Sequence, residues 1–406
     1  MAKDVYSTKR YLAIVLIVSS MLGAPVVAGK TTVEIWTPYN TGVACDAFVA
    51  LVNEFNETHP DIYVEHLGIA GFKADKYVVG VISGVLPNIG WTAPSWILDL
   101  YDTKLMVPVD ELAERDGLDV SSYWPWAWRK RLRGHQWGMP FVIGSDALIY
   151  NSDMFASSAL APPAWDWTWD DFLSIAKKLT IPDQTYGFQR PGANYQVVQW
   201  LWRNGANLVA EDGTKATFSD SKAIEALQWY ADLGLVHNVV GGNFNGGTAG
   251  MFVAHSGWYN GNSQYWSFNG ATTTTPIPEG GVRACTSYYK EMVLFRSTPE
   301  EEEASWTFLK WLMEPERIAE WYVATGNLPV SRDILLTDTY QAHLQDNPWL
   351  DPFIYELDYV RDQIDDNILS LFSEVIQEVF PGKTTAQSAM EGMQLTAQGK
   401  LDERKE

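Results

Sequence analysis

The sequence predicts an α/β protein in which helices cover a mostly parallel β-sheet. Segments of strand and helix character alternate between residues 31 and 91, in the order strand, helix, strand, helix, strand. Parallel strands need a crossover connection, usually a helix, so this alternation favours a parallel sheet. The chain has 406 residues, which is too long for one ordinary hydrophobic core, and two domains are therefore expected.

The spacing of apolar residues identifies the first five elements. In the first helix, Phe48, Leu51, Val52 and Phe55 recur at the three- and four-residue spacing of one helix face. The strands are marked by β-branched and aromatic runs or by alternation of apolar and polar residues. The predicted elements are a strand over 31–39, a helix over 45–60, a strand over 62–69, a helix over 74–87 and a strand over 88–91.

Later in the chain, two extended runs meet at Gly144 and amphipathic helices follow. Thr168 is placed to cap one of these helices, and Asp170 and Asp171 lie in its first turn, where the helix dipole favours negative charge. This adjacent pair of carboxylates therefore has a structural explanation. The extended runs cover 138–155, and the helices cover 167–179, 219–233, 298–326 with a break near Pro315, 365–380 and 384–398.

The composition is that of a globular, acidic protein that is rich in tryptophan. The formal net charge is −21, which makes nucleic acid and anionic lipid poor partners. There are 19 tryptophans, and an indole offers a broad apolar face that suits the C–H faces of sugar rings. The segment 246–266 places Trp258, Tyr259, Tyr265 and Trp266 beside glycines. These rings either pack in a core or line a cleft that admits a ligand.

Residues 1–28 have the pattern of an export signal. A basic start precedes the apolar segment 11–22, which is too short to span a membrane comfortably, and small residues then lead to a cleavage site near Ala28. An uncleaved N-terminal anchor is the alternative. In an oxidising compartment the two cysteines, Cys45 and Cys285, either form a disulfide or remain free.

Sequence patterns for covalent chemistry are missing. The chain contains no HExxH, no GxSxG and no clustered histidines, and the glycine-rich segment 241–250 lacks the lysine of a phosphate-binding loop. A pair of carboxylates for glycoside hydrolysis needs only to converge in space, and none can be singled out among 50 acidic residues. The sequence favours a binding protein without catalytic residues, cofactor or metal.

Several motifs in a shared order resemble the extracellular solute-binding proteins of the maltose-binding type, the ligand receptors of ABC sugar importers. One departure is Pro87–Asn88, where the family commonly has proline followed by aspartate. The similar segments are VEIWTPYN (33–40), LVNEFNETHPDIYVE (51–65), the run from Leu86 to Leu112, GMPFVIGSDALIYNSDMF (138–155), the run from Ser305 to Leu335, and GKTTAQSAMEGM (382–393).

The resemblance implies a two-lobe, type II-like periplasmic-binding-protein fold that closes by a hinge on a ligand held between the lobes. Lobe 1 would comprise 29–143 and 287–327, and lobe 2 would comprise 144–286 and 328–406.

The resemblance also implies a function. The protein would be a monomeric receptor, periplasmic or extracellular, that delivers a mono- or oligosaccharide to ABC permease subunits. The alternatives are a binder of glycerol phosphate or a polyol, an exported carbohydrate-active hydrolase, or a sensor accessory. The candidate loops carry little positive charge, which favours a neutral sugar.

The resemblance also implies ligand contacts at particular residues. Cys45 would follow the first ligand loop and Cys285 would lie near the second crossing, which favours a disulfide that pins that loop. The implied ligand-binding residues are Tyr39, Asn40 and Thr41 after the first strand, Ser95 and Trp96 after the third, Ser145 and Asp146 beside Gly144 at the first crossing, Asn194 and Tyr195, Trp258 as the ring that stacks on a sugar, and Arg361 from the C-terminal part.

Overall fold

The computed structural model describes residues 29–101, 103–130, 132–190, 194–210, 212–361 and 366–403. The predicted signal segment 1–28 lies outside the described residues. The strands are β1 Thr31–Thr37, β2 Ile62–Gly68, β3 Ile89–Thr92, β4 Met106–Val107, β5 Gly138–Asn151, β6 Tyr186–Gln189, β7 Ala249–His255, β8 Gly270–Thr273 and β9 Ser287–Phe295.

The helices of the described residues alternate with strands in the first half of the chain and dominate the second half. They are α1 Val43–Thr58, α2 Asp75–Ser83, α3 Pro94–Tyr101, α4 Val109–Asp116, α5 Ser152–Ser157, α6 Trp169–Leu179, α7 Asn194–Arg203, α8 Ser221–Leu235, α9 Ser256–Ser263, α10 Pro299–Leu312, α11 Pro315–Thr325, α12 Arg332–Leu335, α13 Asp338–Asp346, α14 Asp351–Glu356, α15 Asp366–Val379 and α16 Ala386–Asp402.

The strands hydrogen-bond in the order β2-β1-β3-β9-β5-β7-β6, with β4 beside β9 and β8 beside β5. The pairs β1–β2, β1–β3 and β6–β7 are parallel, which confirms the predicted strand–helix–strand start. The pairs made by β5 and β9 are antiparallel. The expected mostly parallel sheet is therefore wrong in its middle, because β5 and β9 run against their neighbours as they pass between the two halves of the molecule.

Strand β5 joins the two lobes. Residues 138–145 pair with β9, and residues 146–151 pair with β7 and β8. All 14 residues of β5 are buried. The crossing predicted near Gly144 is thus one continuous strand that changes partners between Ser145 and Asp146. The change of partners along this buried strand marks where one lobe ends and the other begins.

Two clusters of buried side chains form the cores. One surrounds β1, α1, α10 and α11, and the other surrounds α6, α7 and α8. Buried residues from Leu328 to Leu357 pack in the first cluster, whereas those from Ile368 to Leu401 pack in the second. This differs from the predicted boundary, which assigned all of 328–406 to lobe 2. The physical reason is that the chain stays in the first cluster from Tyr289 to Leu357 and crosses to the second only afterwards.

Local sequence explains where several helices begin. Thr168 caps α6 in a reciprocal capping box with Asp171, as the sequence predicted. Thr298 and Glu301 form the same arrangement at α10, and Pro315 occupies the first turn of α11, where the missing N–H costs nothing. No helix within the described residues is long and apolar enough to cross a membrane.

A buried ion pair ties α14 to the segment that follows β8. Glu356 Oε1 accepts hydrogen bonds from Arg283 Nη1 at 3.1 Å and from the Thr275 backbone N–H and hydroxyl at 3.2 and 3.1 Å. The Glu356 side chain is fully buried and that of Arg283 is 10% exposed. Burial raises the pKa of Glu356, while the nearby Arg203 and Arg283 oppose that rise.

Of the two alternatives for Cys45 and Cys285, the structure has the free thiols and not the disulfide that the resemblance favours. Cys45 is half-buried near the start of α1. Cys285 is fully buried beside β5, where its sulfur accepts from the Asp146 backbone N–H at 3.2 Å. Cys285 therefore packs into the crossing between lobes rather than against the loop that precedes α1.

Candidate functional site

The candidate site lies where β1 and β3 end and β9 begins. Thr92 at the end of β3 is opposite Glu291 of β9, and Tyr288 is opposite Gly144 of β5. We call this region the interlobe edge: the loops after β1 and β3, the first residues of β9, and the crossing at Gly144–Asp146. In open α/β sheets, ligands bind outside the carboxyl ends of the strands, where the connections diverge.

Aromatic rings and one lysine occupy the lobe 1 side of the interlobe edge. Trp91 and Trp96 meet edge to face with their ring centroids 5.7 Å apart. The ammonium of Lys290 lies over Trp91, Trp96 and Tyr288, at 5.1, 5.6 and 4.9 Å from the three ring centroids. Burial raises the pKa of Tyr39, and the neighbouring Tyr288 raises it further. These residues together make an aromatic wall with one cationic group.

The lobe 2 side meets this wall through His255. Its imidazole stacks on Tyr288 with 5.3 Å between centroids and an interplanar angle of 15°. His255 Nδ1 accepts a hydrogen bond at 3.2 Å from the Trp258 backbone N–H and so caps α9. Burial lowers the pKa of His255, although the nearby Asp146 carboxylate acts in the opposite direction. The neutral imidazole is the form that can accept this capping hydrogen bond.

The crossing residues Ser145 and Asp146 are both buried. The Ser145 hydroxyl donates to the carbonyl of Phe353. Asp146 Oδ2 accepts three hydrogen bonds, from Thr286 Oγ1 at 2.7 Å, Gln196 Nε2 at 3.1 Å and Gln199 Nε2 at 3.2 Å. These two groups are used by the protein itself in this conformation, and we do not include them among the proposed ligand contacts.

Trp258 is half-buried in the first turn of α9. It packs against Phe252 at 4.7 Å, and against Trp266 and Phe244 at 6.1 and 6.4 Å. Trp258 and Trp266 therefore share a cluster with Phe244 and Phe252, whereas Tyr265 is 79% exposed. Trp258 lies three residues from His255, which places it beside the interlobe edge, and its contact with a ligand stays a prediction.

The other predicted residues fall around the same region. Asn40 and Thr41 are exposed in the loop after β1, and Tyr39 and Trp96 are half-buried. Burial raises the pKa of Tyr195, and the charges of Asp146 and Tyr288 raise it further. The side chains of Ser95 and Asn194 lie outside the described residues.

Arg361 lies farther along the crossing. Its guanidinium donates to Asn207 Oδ1 at 3.3 Å, and its backbone N–H donates to the Cys285 carbonyl at 3.0 Å. These contacts position Arg361 beside Cys285, and its contact with a ligand stays a prediction.

Sequence reasoning missed Trp91, Tyr288, Lys290 and His255. Tyr288 and Lys290 stand two residues apart in the strand SYYKEMVLF, so alternation puts both on one face of β9. That alternation was a usable signal. What the sequence could not show is that this face lies against Trp91, because β3 and β9 are separated by nearly 200 residues of chain.

Two buried polar atoms near this edge make no hydrogen bond within the described residues. They are Trp91 Nε1 and Ser256 Oγ. The Trp91 N–H group lowers the pKa of the Tyr39 hydroxyl, although the two groups do not form a hydrogen bond of normal geometry. Buried polar groups are normally paired, so unpaired donors beside a binding site are available to a ligand or to water.

Comparison with known proteins assigns the family. A family model described as bacterial extracellular solute-binding protein matches residues 50–346. The chain belongs to this family. The sn-glycerol-3-phosphate-binding periplasmic protein UgpB of Salmonella typhimurium is 23% identical over 389 residues, covering 84% of this chain and 86% of that protein. A putative binding protein of Brucella abortus is 23% identical over 286 residues, covering 65% of this chain and 67% of the relative.

Solved structures of solute-binding proteins share the fold. The cyclic alpha-maltosyl-1,6-maltose binding protein from Arthrobacter globiformis matches with a TM-score of 0.83 and 20% identity, over 92% of this chain and 99% of that one. UgpB from Mycobacterium tuberculosis, in complex with glycerophosphocholine, matches with a TM-score of 0.81 and 16% identity, over 93% and 100%. The solute-binding protein described here therefore has the predicted two-lobe fold, and its family consists of binding proteins rather than enzymes.

Proposed function

We propose that this solute-binding protein captures a mono- or oligosaccharide at the interlobe edge and delivers it to the permease of an ABC importer. The observation that carries the proposal is the set of rings from Tyr39, Trp91, Trp96 and Tyr288 at the carboxyl ends of β1 and β3. Flat apolar faces stack on sugar rings, while hydroxyl and indole N–H groups at the same place bind sugar hydroxyls.

The ligands for which similar proteins are named agree with this class. The Arthrobacter globiformis protein is named for a cyclic maltose-derived sugar, and a neighbour from Xanthomonas citri with a TM-score of 0.78 is a sugar-binding protein, MalE. A second candidate ligand is glycerol phosphate, because the Lys290 ammonium stands in the aromatic wall. A lysine of this kind can bind a phosphate as a point charge.

The remaining parts of the proposal concern the state in which the protein works. We propose export with cleavage near Ala28, function as a monomer, and release of the ligand chemically unchanged. Hinge motion would occur at the partner change within β5, between Ser145 and Asp146, two residues beyond the predicted start of lobe 2 at residue 144. Asn40, Thr41, Ser95, Asn194, Tyr195 and Trp258 are proposed to complete the ligand contacts.

A fluorescence and calorimetry titration tests the proposal. The mature protein, beginning at Gly29, is titrated with glucose, maltose, maltotriose, a cyclic glucan and sn-glycerol 3-phosphate, and every sample is then analysed for products. Saturable binding of an intact sugar is expected. Cleaved glycan would identify a hydrolase instead, and binding of glycerol phosphate alone would select the second candidate.

Two tryptophan variants locate the site. Trp96→Ala removes a half-buried ring from the aromatic wall and is expected to weaken sugar binding at least tenfold, or by about 1.4 kcal/mol. Trp165→Ala is the matched control, because Trp165 is 44% exposed and packs against Tyr355 instead. If Trp96→Ala and Trp165→Ala bind the sugar with equal affinity, the sugar site lies away from Trp96. Trp258→Ala, measured in parallel, tests the ring that the sequence singled out.

A further inference from the structure

Three aromatic rings at the interlobe edge converge on one point, and the ammonium of Lys290 occupies that point. The Nζ atom is 4.9 Å from the centroid of Tyr288, 5.1 Å from Trp91 and 5.6 Å from Trp96. A cation within about 6 Å of a ring face is attracted by the ring quadrupole, and several rings around one cation form the usual recognition site for ammonium groups. We call these three rings the aromatic cage.

The cage is held by contacts that do not involve the lysine. Trp91 and Trp96 both pack on Phe72, with centroids 6.3 Å apart in each case. The Tyr77 hydroxyl donates to the Trp91 carbonyl at 2.6 Å and fixes the end of β3. The rings on this side therefore keep their positions when the side chain of Lys290 is shortened.

The third ring is held from the other lobe. Tyr288 stacks on His255, and its backbone is paired with Gly144 of β5. A Cβ atom at Gly144 would lie 3.7 Å from that of Tyr288, so the two strands are in ordinary contact there. Tyr288 is thus fixed by two elements, β5 and β7, in addition to its own strand.

We propose that Lys290 is a specificity-determining residue that fills the aromatic cage with the protein's own cation and thereby excludes cationic ligands. While Lys290 is in place, a quaternary ammonium group would find the ring faces already used and a like charge at the same point. Neutral and anionic solutes do not meet the repulsion between like charges. The role of Lys290 in ligand choice rests on the proposed function of the interlobe edge, whereas the existence of the aromatic cage does not.

Removal of the lysine is expected to convert the filled cage into a site for small quaternary ammonium ions. The variant Lys290→Ala leaves the three rings around a space once held by the end of the lysine chain. Tetramethylammonium and choline should then bind saturably, at least tenfold more tightly than to the unchanged protein. The neutral choline analogue 3,3-dimethylbutanol has nearly the same shape and should bind the variant at least tenfold more weakly than choline, because it has no charge for the ring faces.

The experiment measures tryptophan fluorescence and calorimetric heats for four proteins at constant ionic strength. They are the unchanged mature protein, Lys290→Ala, Lys290→Thr as a second shortened side chain in case the first does not fold, and Lys290→Met as the matched control. Methionine is uncharged but keeps the cage filled, so Lys290→Met should bind neither ion. Circular dichroism of each variant establishes that it is folded.

Three results would overturn the proposal: saturable binding of choline to the unchanged protein, no ammonium binding by a folded shortened variant, or equal binding of choline and 3,3-dimethylbutanol. The sugar titration is run on the same proteins. If no sugar binds but Lys290→Ala takes up tetramethylammonium, the sugar proposal fails and the cage stands. If sugar binds and the cage result is negative, the reverse holds.

Discussion

The hydroxyl of Thr286 is expected to stabilise the crossing between lobes by hydrogen-bonding a buried carboxylate. It donates to Asp146 Oδ2 at 2.7 Å, and both residues are nearly inaccessible to solvent. Thr286→Val keeps the shape of the side chain and removes only this donor. The Asp146 carboxylate then keeps the amides of Gln196 and Gln199, whose distances of 3.1 and 3.2 Å are longer.

The free energy of unfolding lost in Thr286→Val depends on the charge of the Asp146 carboxylate that accepts the hydrogen bond. A hydrogen bond to a charged group contributes about 1.5–3 kcal/mol, compared with about 1 kcal/mol for a neutral pair. Unfolding entropy scales with chain length, so for a chain of this size each kcal/mol lowers Tm by about 1–2 °C. The expected fall for Thr286→Val at pH 8 is therefore about 2–5 °C.

The size of this effect should depend on pH. Burial raises the pKa of Asp146 above its ordinary value of 3.8, and loss of the Thr286 donor raises it further. A carboxyl whose folded pKa is raised contributes stability that is present at low pH and is lost as pH rises through the folded pKa. The variant should therefore lose less stability at pH 5 than at pH 8, because protonation of Asp146 removes the charge that makes its hydrogen bond with Thr286 strong.

Thermal unfolding followed by circular dichroism at both pH values measures this. Thr273→Val is the control, since Thr273 is buried to a similar degree and donates only a 3.4 Å hydrogen bond to the neutral carbonyl of Pro163. Its cost should stay below about 1 kcal/mol at either pH. Equal Tm shifts in the two variants at pH 8, or a Thr286→Val shift that is the same at both pH values, would refute the reasoning.

Three further expectations can be measured by denaturant or thermal unfolding. Gly187→Ala should destabilise the fold by about 2–3 kcal/mol, because the new Cβ would lie 2.2 Å from the backbone of α6. Gly392→Ala, in a helix with nothing within 4 Å of the new Cβ, should stabilise the fold by about 0.5–1 kcal/mol, and equal effects of the two substitutions would contradict this. Arg283→Met should cost about 3–5 kcal/mol by leaving a buried carboxylate unpaired, and adding Glu356→Leu should recover part of the loss; additive losses would be contrary evidence. The pKa of His255 is lowered from 6.5, so the neutral imidazole contributes stability above pH 6.5, and acidification removes this stability. His255→Asn can still cap α9 and should therefore lose less stability between pH 7 and pH 5, and a pH profile equal to that of the unchanged protein would exclude this role of His255.

The elements that the sequence predicted best are those specified by neighbours in the chain. The cap of α6 by Thr168 and the break at Pro315 depend on residues within one helical turn. The same holds for α1, where Phe48 and Phe55 are buried as their spacing required. Such signals are local, because capping and amphipathic spacing act over three or four residues.

Errors arose where distant segments meet. The sheet is antiparallel at β5 and β9, and Cys285 packs beside Asp146 rather than bonding to Cys45. Both outcomes depend on how β9 returns between β3 and β5, which no short pattern encodes. The resemblance placed Ser145 and Asp146 at the ligand, which stays a prediction, and their polar atoms bond Phe353, Thr286 and two glutamines at the buried crossing.

By itself, the sequence determined the α/β class, the family and the high tryptophan content, since composition, order of motifs and short-range spacing are properties of the chain alone. The tertiary structure decided which of those tryptophans share a site. Trp91 and Trp96 meet Lys290 only because β3 pairs with β9, and Tyr288 meets His255 only because β5 changes partners between the lobes. Ring faces and charges act over about 6 Å, so their effect depends on pairing between segments far apart in the chain.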